Sequence, residues 1–283
     1  MRSVPATTRP AASIPGWRRR NEERVRLKDK VAVVTGGGQG IGRGIALALA
    51  REGARCVLAA RTRSNLEATQ DEIEAAGGEA IIVPTDLRAP EEIERLAGET
   101  LEHFGHVDVL VNNSGIAGPM QELWKIDPAE WDETFDVNVR GVFLTCKAFL
   151  PAMIERRSGN VIIIGSPSGK RPLHGRSAYA TGKLGLVGLV RTLAWEIGPY
   201  GLRVNLISPS GSDGPRMHAV IRGQAETRGL TYEEVHEEFV RLSPLGQFTP
   251  VEDVGNAAVF LASDEAASIT GEDLNVSSGL VMY

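Results

Sequence analysis

Residues 31–42 read Val-Ala-Val-Val-Thr-Gly-Gly-Gly-Gln-Gly-Ile-Gly, and this stretch decides the fold class. A short β-branched run ends in glycines and leads into a helical pattern that continues to Arg51. Gly36 suits a turn with positive φ, Gly40 leaves room for a pyrophosphate, and Gly42 lets the helix pack closely on the sheet. The N–H groups at the start of the helix then favour an anion. The stretch predicts a strand–turn–helix unit that binds a dinucleotide, in preference to a purely structural turn.

The same strand signal recurs along the rest of the chain. Six further apolar runs, separated by helical patterns, lie at residues 56–60, 80–83, 107–111, 161–164, 202–207 and 273–276. Continuous apolar strands that alternate with helices predict a parallel sheet covered on both faces. We therefore expect a single α/β domain over residues 27–283, a doubly wound seven-stranded parallel sheet of the Rossmann type.

Composition narrows the function classes. The 283 residues are 42% hydrophobic and 24% charged, with a net charge of −5, which offers nucleic acid no general attraction. Cys56 and Cys146 are far apart, so they predict neither a disulfide nor a paired-cysteine metal site, and the five histidines form no plausible metal cluster. No apolar run approaches the roughly 20 residues of a membrane span. We expect a cytoplasmic protein without metal, membrane or nucleic-acid partners.

Residues 1–26 differ from the remainder. Pro5, Pro10 and Pro15 punctuate a stretch rich in arginine, and no apolar segment follows the arginines as a signal peptide requires. This composition predicts a disordered basic tail, with a targeting or acid-binding arm as the alternative.

Tyr179 and Lys183 are four residues apart in a helical pattern, so their side chains share one face. An ammonium beside a phenol favours the ionised phenol, which suits a general acid/base for interconverting an alcohol and a ketone. Ser166 follows the apolar run 161–164, where strand ends face the ligand crevice, and its hydroxyl could hold a substrate oxygen. A structural turn serine is the alternative, and Ser168 competes for the role.

Several motifs follow one another along residues 27–283. They comprise the glycine turn, Asp86-Leu87, Asn112-Asn113-Ser114-Gly115, Asn138 in Asp-Val-Asn-Val, Ser166, Tyr179-x-x-x-Lys183, and Arg203-Val204-Asn205 before Ser208-Pro209. Any one motif is weak evidence, but the ordered set is specific. In this order the motifs resemble those of the single-domain short-chain dehydrogenase/reductases.

The resemblance implies four catalytic roles. Tyr179 would exchange the proton, Ser166 would orient the substrate oxygen, and Lys183 would hold the nicotinamide ribose. Asn138, in a helix expected over 135–150, would complete a water-linked proton path to Lys183.

The resemblance also implies a cofactor site. Asp86 would accept from the adenine amino group, while Asn112 and Gly115 would line the ribose and nicotinamide. The full implied set is Gly36, Gln39, Gly40, Ile41, Gly42, Arg61, Asp86, Leu87, Asn112, Gly115, Tyr179, Lys183 and Pro209. Serines replace the family's usual residues at Ser114, Ser210 and Ser277-Ser278, so the cofactor contacts over 208–215 depart from the family pattern.

These residues predict an oxidoreductase that transfers a hydride between NADP(H) or NAD(H) and a secondary alcohol or ketone. The alternative from another class is a non-catalytic dinucleotide sensor or scaffold on the same fold. An enoyl reductase would usually place the lysine further from the tyrosine, but Leu186 stands seven residues after Tyr179.

The end of the second strand predicts the choice of dinucleotide. An NAD-selective site usually carries an acid there, which accepts from the ribose hydroxyl and repels a 2′-phosphate. Here Ala60 takes that position and Arg61 follows it. A guanidinium pairs well with a phosphate, so NADP(H) is the expected cofactor and NAD(H) remains possible.

The last two expectations concern a substrate lid and the oligomeric state. Residues 211–247, with a helical pattern over 231–242, are expected to form a lid that closes over a small-molecule substrate. The resemblance implies a homotetramer that uses the helices expected over 131–153 and 178–197 at one interface and the C-terminal strand at another.

Overall fold

Seven parallel strands form one sheet in the described part of the chain, as the sequence predicts. The computed structural model describes residues 25–212 and 214–283, so nearly all of the predicted tail at 1–26 lies outside the described residues. The strands are β1 Val31–Thr35, β2 Arg55–Ala60, β3 Ala80–Pro84, β4 Val109–Asn112, β5 Gly159–Ile164, β6 Leu202–Pro209 and β7 Asp273–Val276. Their order across the sheet is β3-β2-β1-β4-β5-β6-β7. The order reverses between β1 and β4, and in doubly wound sheets ligands bind at that point.

Helices cover both faces of the sheet. They are α1 Gly40–Arg51, α2 Arg63–Ala75, α3 Pro90–Phe104, α4 Pro128–Phe135, α5 Gly141–Arg156, α6 Ser177–Ile197, α7 Pro215–Arg228, α8 Tyr232–Arg241 and α9 Val251–Ala262. Alternate residues of each strand enter opposite cores: Ala32 and Val34 pack with α1, α2 and α9, while Val31 and Val33 pack with α3, α5 and α6. The period of two along each buried strand therefore divides the apolar residues between two layers.

One helical run differs from its prediction. The helix expected over 135–150 is the middle of a longer run made of α4, a π-helical turn at Asp136–Arg140, and α5. By length and composition this run, Pro128–Arg156, is the only described helix that could span a membrane. It contacts α3, α6, β4 and β5, so we interpret it as a core helix of this domain.

The segment predicted as a lid contains two helices, α7 and α8, rather than one. Met217 and Ile221 of α7 pack against Val235 and Phe239 of α8 in a small core of their own. A capping box begins α8, in which Thr231 and Glu234 satisfy each other's backbone N–H groups. The segment is therefore a folded helical pair at the carboxyl-terminal edge of the sheet.

Candidate active site

A cavity of about 930 Å³ opens at the carboxyl ends of the strands. It extends from the glycine turn after β1 to the loop after β5 and to the helical pair α7–α8. Most of the predicted site residues line it: Gly36, Gln39, Gly40, Ile41, Gly42, Arg61, Asp86, Leu87, Gly115, Ser166, Tyr179, Lys183 and Pro209. The structure thus brings all of the predicted catalytic and cofactor residues except Asn112 and Asn138 to the lining of one continuous space.

The turn between β1 and α1 has the geometry of an anion cradle. Gly36 has a φ of +68°, in the left-handed region that glycine tolerates best. A side chain on Gly42 would collide with the Gly36 carbonyl oxygen, so the turn and the helix can approach this closely only without one. Gln39 makes no side-chain cap on α1, and the first turn of α1 holds no acidic residue. The N–H groups at the N-terminus of α1 are therefore free of a side-chain cap and suited to bind a pyrophosphate. In this respect the turn fits a dinucleotide.

Thr35 and Asn113 hold this turn against β4. The Thr35 hydroxyl accepts from the backbone N–H groups of Asn113 and Ser114 at 3.0 and 3.1 Å. Asn113 Nδ2 donates to the Thr35 carbonyl oxygen at 2.9 Å. The predicted cofactor set omits both residues, although Asn113 stands in the quoted motif. Their role is to fix the cradle's position.

Asp86 and Arg61 mark the far end of the cavity. Arg88 donates to Asp86 through its backbone N–H at 3.0 Å and through its guanidinium at 2.6 Å. The hydrogen bonds from the Arg88 side chain, with a smaller contribution from Arg61, hold the pKa of Asp86 below its usual range. The Asp86 carboxyl is therefore ionised at neutral pH, and its oxygens can accept hydrogen bonds.

Tyr179, Lys183 and Ser166 all line this cavity. Lys183 Nζ lies 5.9 Å from the centre of the Tyr179 ring, and it donates to the Ile164 carbonyl oxygen at 2.6 Å. The last residue of β5 thus anchors the ammonium of a lysine that is 5% exposed. Ser166 Oγ accepts from the backbone N–H of Ser168 at 3.2 Å, which orients the hydroxyl. The same bond caps the short turn Pro167–Gly169, and both Ser166 and Ser168 line the cavity, so both serines remain candidates for the hydroxyl that contacts substrate.

Asn138 lies behind this group, in the π-helical turn. It is fully buried and does not line the cavity. Its Oδ1 accepts from Ile116 N at 2.8 Å, and its Nδ2 donates to Ile116 O at 3.0 Å. A Cβ placed on Gly115 would lie 2.9 Å from Asn138 Oδ1 and 3.7 Å from Lys183 Nζ, so the two side chains converge there. π-Helical turns often occur at functional sites, and here the turn carries the predicted relay residue.

Asn112 does not line the cavity, although the resemblance implies that it lines the cofactor site. Its side chain is buried beneath the cavity, where it accepts from the Thr145 hydroxyl and donates to Cys146 Sγ at 3.6 Å. Strand β4 extends through Asn112, one residue beyond the predicted end, and alternation puts that side chain on the face of Leu110 and α5. Ser114 and Gly115 line the cavity in its place.

Two arginines in the cavity were not predicted. Arg171 lines it from the loop between β5 and α6, and Arg176 lines it from the start of α6, with its guanidinium carbon 4.4 Å from the centre of the Tyr179 ring. The spacing of three residues between Arg176 and Tyr179 puts both on one helix face, so that signal was present in the sequence.

Comparison with known proteins decides the family. A protein-family model described as enoyl-(acyl carrier protein) reductase matches residues 36–281. The chain is 35% identical over 256 residues to the 3-oxoacyl-[acyl-carrier-protein] reductase FabG of Escherichia coli (strain K12), covering 90% of this chain and 99% of that protein. It is 34% identical over 255 residues to FabG of Staphylococcus epidermidis, covering 90% of this chain and 100% of that protein.

Comparison with solved structures leads to the same family. Levodione reductase superposes with a TM-score of 0.86 at 32% identity, covering 90% of this chain and 98% of that one. NAD+-bound xylitol dehydrogenase gives a TM-score of 0.87 at 27% identity, covering 90% of this chain and 100% of that one. The chain is a short-chain dehydrogenase/reductase. Like the members of this family to which it is similar, this short-chain dehydrogenase/reductase is an NAD(P)-dependent oxidoreductase that acts on alcohol and ketone groups.

Proposed function

We propose that this protein interconverts a secondary alcohol and a ketone with NADP(H), using Tyr179 as general acid/base. The observation that carries the proposal is the convergence of Ser166, Tyr179 and Lys183 in a cavity that is continuous with the glycine turn. A non-catalytic dinucleotide sensor would have no use for this convergence.

In the direction of reduction, the substrate carbonyl would accept hydrogen bonds from the Ser166 and Tyr179 hydroxyls. A bound reduced nicotinamide supplies the hydride to the carbonyl carbon. Tyr179 gives its hydroxyl proton to the carbonyl oxygen, and Lys183 stabilises the resulting phenolate. Asn138 would complete a water-linked path along which a replacement proton reaches Lys183. Oxidation of the alcohol uses the same groups in reverse.

The NADP(H) preference is supported by the end of β2. Ala60 supplies no carboxylate there, and Arg61 lines the cavity immediately after it. A guanidinium can pair with a 2′-phosphate through two parallel N–H bonds. NAD(H) remains the alternative cofactor.

The segment 211–247, which contains α7 and α8, is proposed as the lid over the substrate. Met217, Val220, Phe239 and Leu242 give it an apolar surface toward the cavity. A change in proteolytic sensitivity on adding cofactor and a substrate analogue is the expected sign of closure, and unchanged sensitivity would refute it.

We further propose a cytoplasmic homotetramer. Phe143 on α5 and Leu184 and Trp195 on α6 are exposed large apolar side chains, as an interface between copies requires. Light scattering should give four times the chain's 30.4 kDa mass. A monomeric mass would refute the assembly.

Tyr179→Phe tests the proposed function. Loss of the acid/base hydroxyl should lower kcat with a turned-over alcohol or ketone by about 10²–10⁴-fold, followed at the reduced-nicotinamide absorbance band. Cofactor binding, measured by calorimetry, should change little. Tyr200→Phe is the matched control, because Tyr200 is exposed and lies outside the cavity lining. Undiminished turnover in Tyr179→Phe would exclude the mechanism.

A further inference from the structure

The two ends of the proposed lid meet beside the last strand of the sheet. Thr249 lies two residues after the segment 211–247 and donates its backbone N–H to the Gly211 carbonyl oxygen at 3.1 Å. The hydroxyl oxygens of Ser210 and Thr249 lie 2.5 Å apart. Ser210, Gly211 and Thr249 therefore form a lid base, at which backbone and side chains together close the segment into a loop.

The Thr249 hydroxyl uses its full hydrogen-bonding capacity at the lid base. It donates to the Val276 carbonyl oxygen at the end of β7 at 3.2 Å, and its oxygen lies 3.3 Å from the Ser278 hydroxyl oxygen. A hydroxyl has one proton and two acceptor lone pairs. Because its own proton goes to Val276, Thr249 accepts from Ser210 and from Ser278. Thr249 is 1% exposed, so these bonds form in a site from which water is largely excluded.

The sheet anchors the lid base on both sides. Ser210 directly follows β6, and its backbone N–H donates to the same Val276 carbonyl oxygen at 3.2 Å. Ser243, inside the segment, donates its hydroxyl proton to the Ser278 carbonyl oxygen at 2.6 Å. The ends of β6 and β7 thus hold both ends of the proposed lid.

Two of the serines that depart from the family pattern take part in these contacts. Ser210 and Ser278 are far apart in the sequence, yet the hydroxyls of both contact Thr249. Ser278 has a φ of +51°, in the left-handed region that favours glycine. Its contact with the lid base accounts for a serine at this unfavourable backbone position.

The lid base also adjoins the cavity. Ser210 and Gly211 line the cavity, and a Cβ placed on Gly211 would lie 2.5 Å from Met217 Sδ, so the base packs directly on α7. Met217 of α7 and Phe239 of α8 belong to one small core, and both line the cavity. The position of the lid base therefore sets the position of apolar side chains that face the substrate space.

We propose that Thr249 is a positioning residue, whose hydroxyl joins the two ends of the lid through Ser210 and keeps α7 and α8 ordered at the cavity before substrate binds. The effect of this residue on the reaction rests on the proposed function. An ordered lid loses little conformational entropy when substrate binds, whereas a lid with a loose base must be ordered by the substrate. Thr249 lies outside the cavity lining, so its effect falls on substrate binding rather than on proton transfer.

Thr249→Val tests the proposal, because it removes the hydroxyl and keeps the shape of the side chain. Hydrogen–deuterium exchange of the free protein should become about 5- to 100-fold faster in α7 and α8 and should keep its wild-type rate in β1 and β4. Ser210→Ala should act in the same direction. The double variant should exchange little faster than Thr249→Val alone, because the two hydroxyls form one contact. Thr249→Ser keeps the hydroxyl and should restore most of the protection.

Steady-state kinetics with a turned-over alcohol or ketone give a second readout. In Thr249→Val, KM should rise about 3- to 30-fold while kcat changes by less than about threefold, because the lid must be ordered on binding but the proton-transfer groups stay in place. Thr227→Val is the matched control. Thr227 is exposed on α7 and donates its hydroxyl proton to the Gly223 carbonyl oxygen of the same helix, so its loss should leave KM and exchange unchanged.

The exchange measurement needs no substrate, so it keeps this inference distinct from the proposed function. Wild-type exchange of α7 and α8 in Thr249→Val would overturn the inference, and so would an equal acceleration in β1 and β4 or a loss of kcat at unchanged KM. If exchange responds as expected but no alcohol or ketone is turned over, the proposed reaction fails while the role of Thr249 stands. If turnover depends on Tyr179 and exchange does not respond, the reaction stands and the role of Thr249 fails.

Discussion

Lys170 Nζ lies 2.6 Å from Asp273 Oδ2, and this ion pair joins the loop that follows Ser166 to the last strand of the sheet. The two side chains are 11% and 9% exposed. Lys170 also donates to Asn275 Oδ1 at 2.6 Å, and the Ser208 hydroxyl donates to Asp273 Oδ1 at 2.7 Å. The network therefore links the loop that follows Ser166 to both β6 and β7.

Lys170→Met should destabilise the fold by about 3–5 kcal/mol, because it leaves the Asp273 carboxylate buried without its cation. Urea denaturation at neutral pH measures the loss. Lys147→Met on the exposed side of α5 is the matched control and should cost little. The double variant Lys170→Met with Asp273→Asn should recover part of the stability, and no recovery would argue against a direct pair.

Gly42→Ala should weaken cofactor binding strongly. The added methyl group meets the Gly36 carbonyl oxygen and Asn113, so the turn must move away from the position in which it can hold a pyrophosphate. Fluorescence titration with reduced cofactor measures the affinity. Gly98→Ala is the control, since its added methyl group meets nothing within 4 Å, and that variant should gain about 0.5–1 kcal/mol of stability in helix α3.

The sequence predicts the parts of this structure that depend on local patterns of apolar residues and glycines. Buried strands and the glycine turn are local signals, so the sheet and the cradle follow directly from residues 31–42 and their repeats. The side-chain direction of Asn112 depends on where β4 ends, and a one-residue difference turns that side chain from the cavity to α5. Asn138, in the π-helical turn, forms hydrogen bonds with Ile116 at a distant position in the chain, and no local pattern encodes that contact. The Lys170–Asp273 pair joins positions that only the folded sheet brings together.

The two cysteines should be inert in the folded protein. Burial raises the pKa of both the Cys56 and Cys146 thiols to about 12, so almost no thiolate exists at pH 8. Ellman's reagent should therefore label neither thiol in native protein and both after unfolding in guanidinium. Ser64→Cys, at an exposed position, provides a positive control that should react at once. Rapid native labelling of the wild type would show that the core opens readily near β2 or α5.

Arg61→Ala should weaken binding of NADP(H) much more than binding of NAD(H). If Arg61 pairs with the 2′-phosphate, its loss removes charged hydrogen bonds worth about 1.5–3 kcal/mol each, which corresponds to roughly a 10- to 150-fold weaker affinity for NADP(H). NAD(H) has no phosphate at that position, so its affinity should change little. Arg63→Ala is the matched control, because Arg63 is exposed, pairs with Glu67 at 2.9 Å and lies outside the cavity lining. The measurement is the dissociation constant of each dinucleotide for the wild type and the two variants. An equal loss of affinity for NADP(H) and NAD(H) in Arg61→Ala, or a wild-type preference for NAD(H), would refute the assignment.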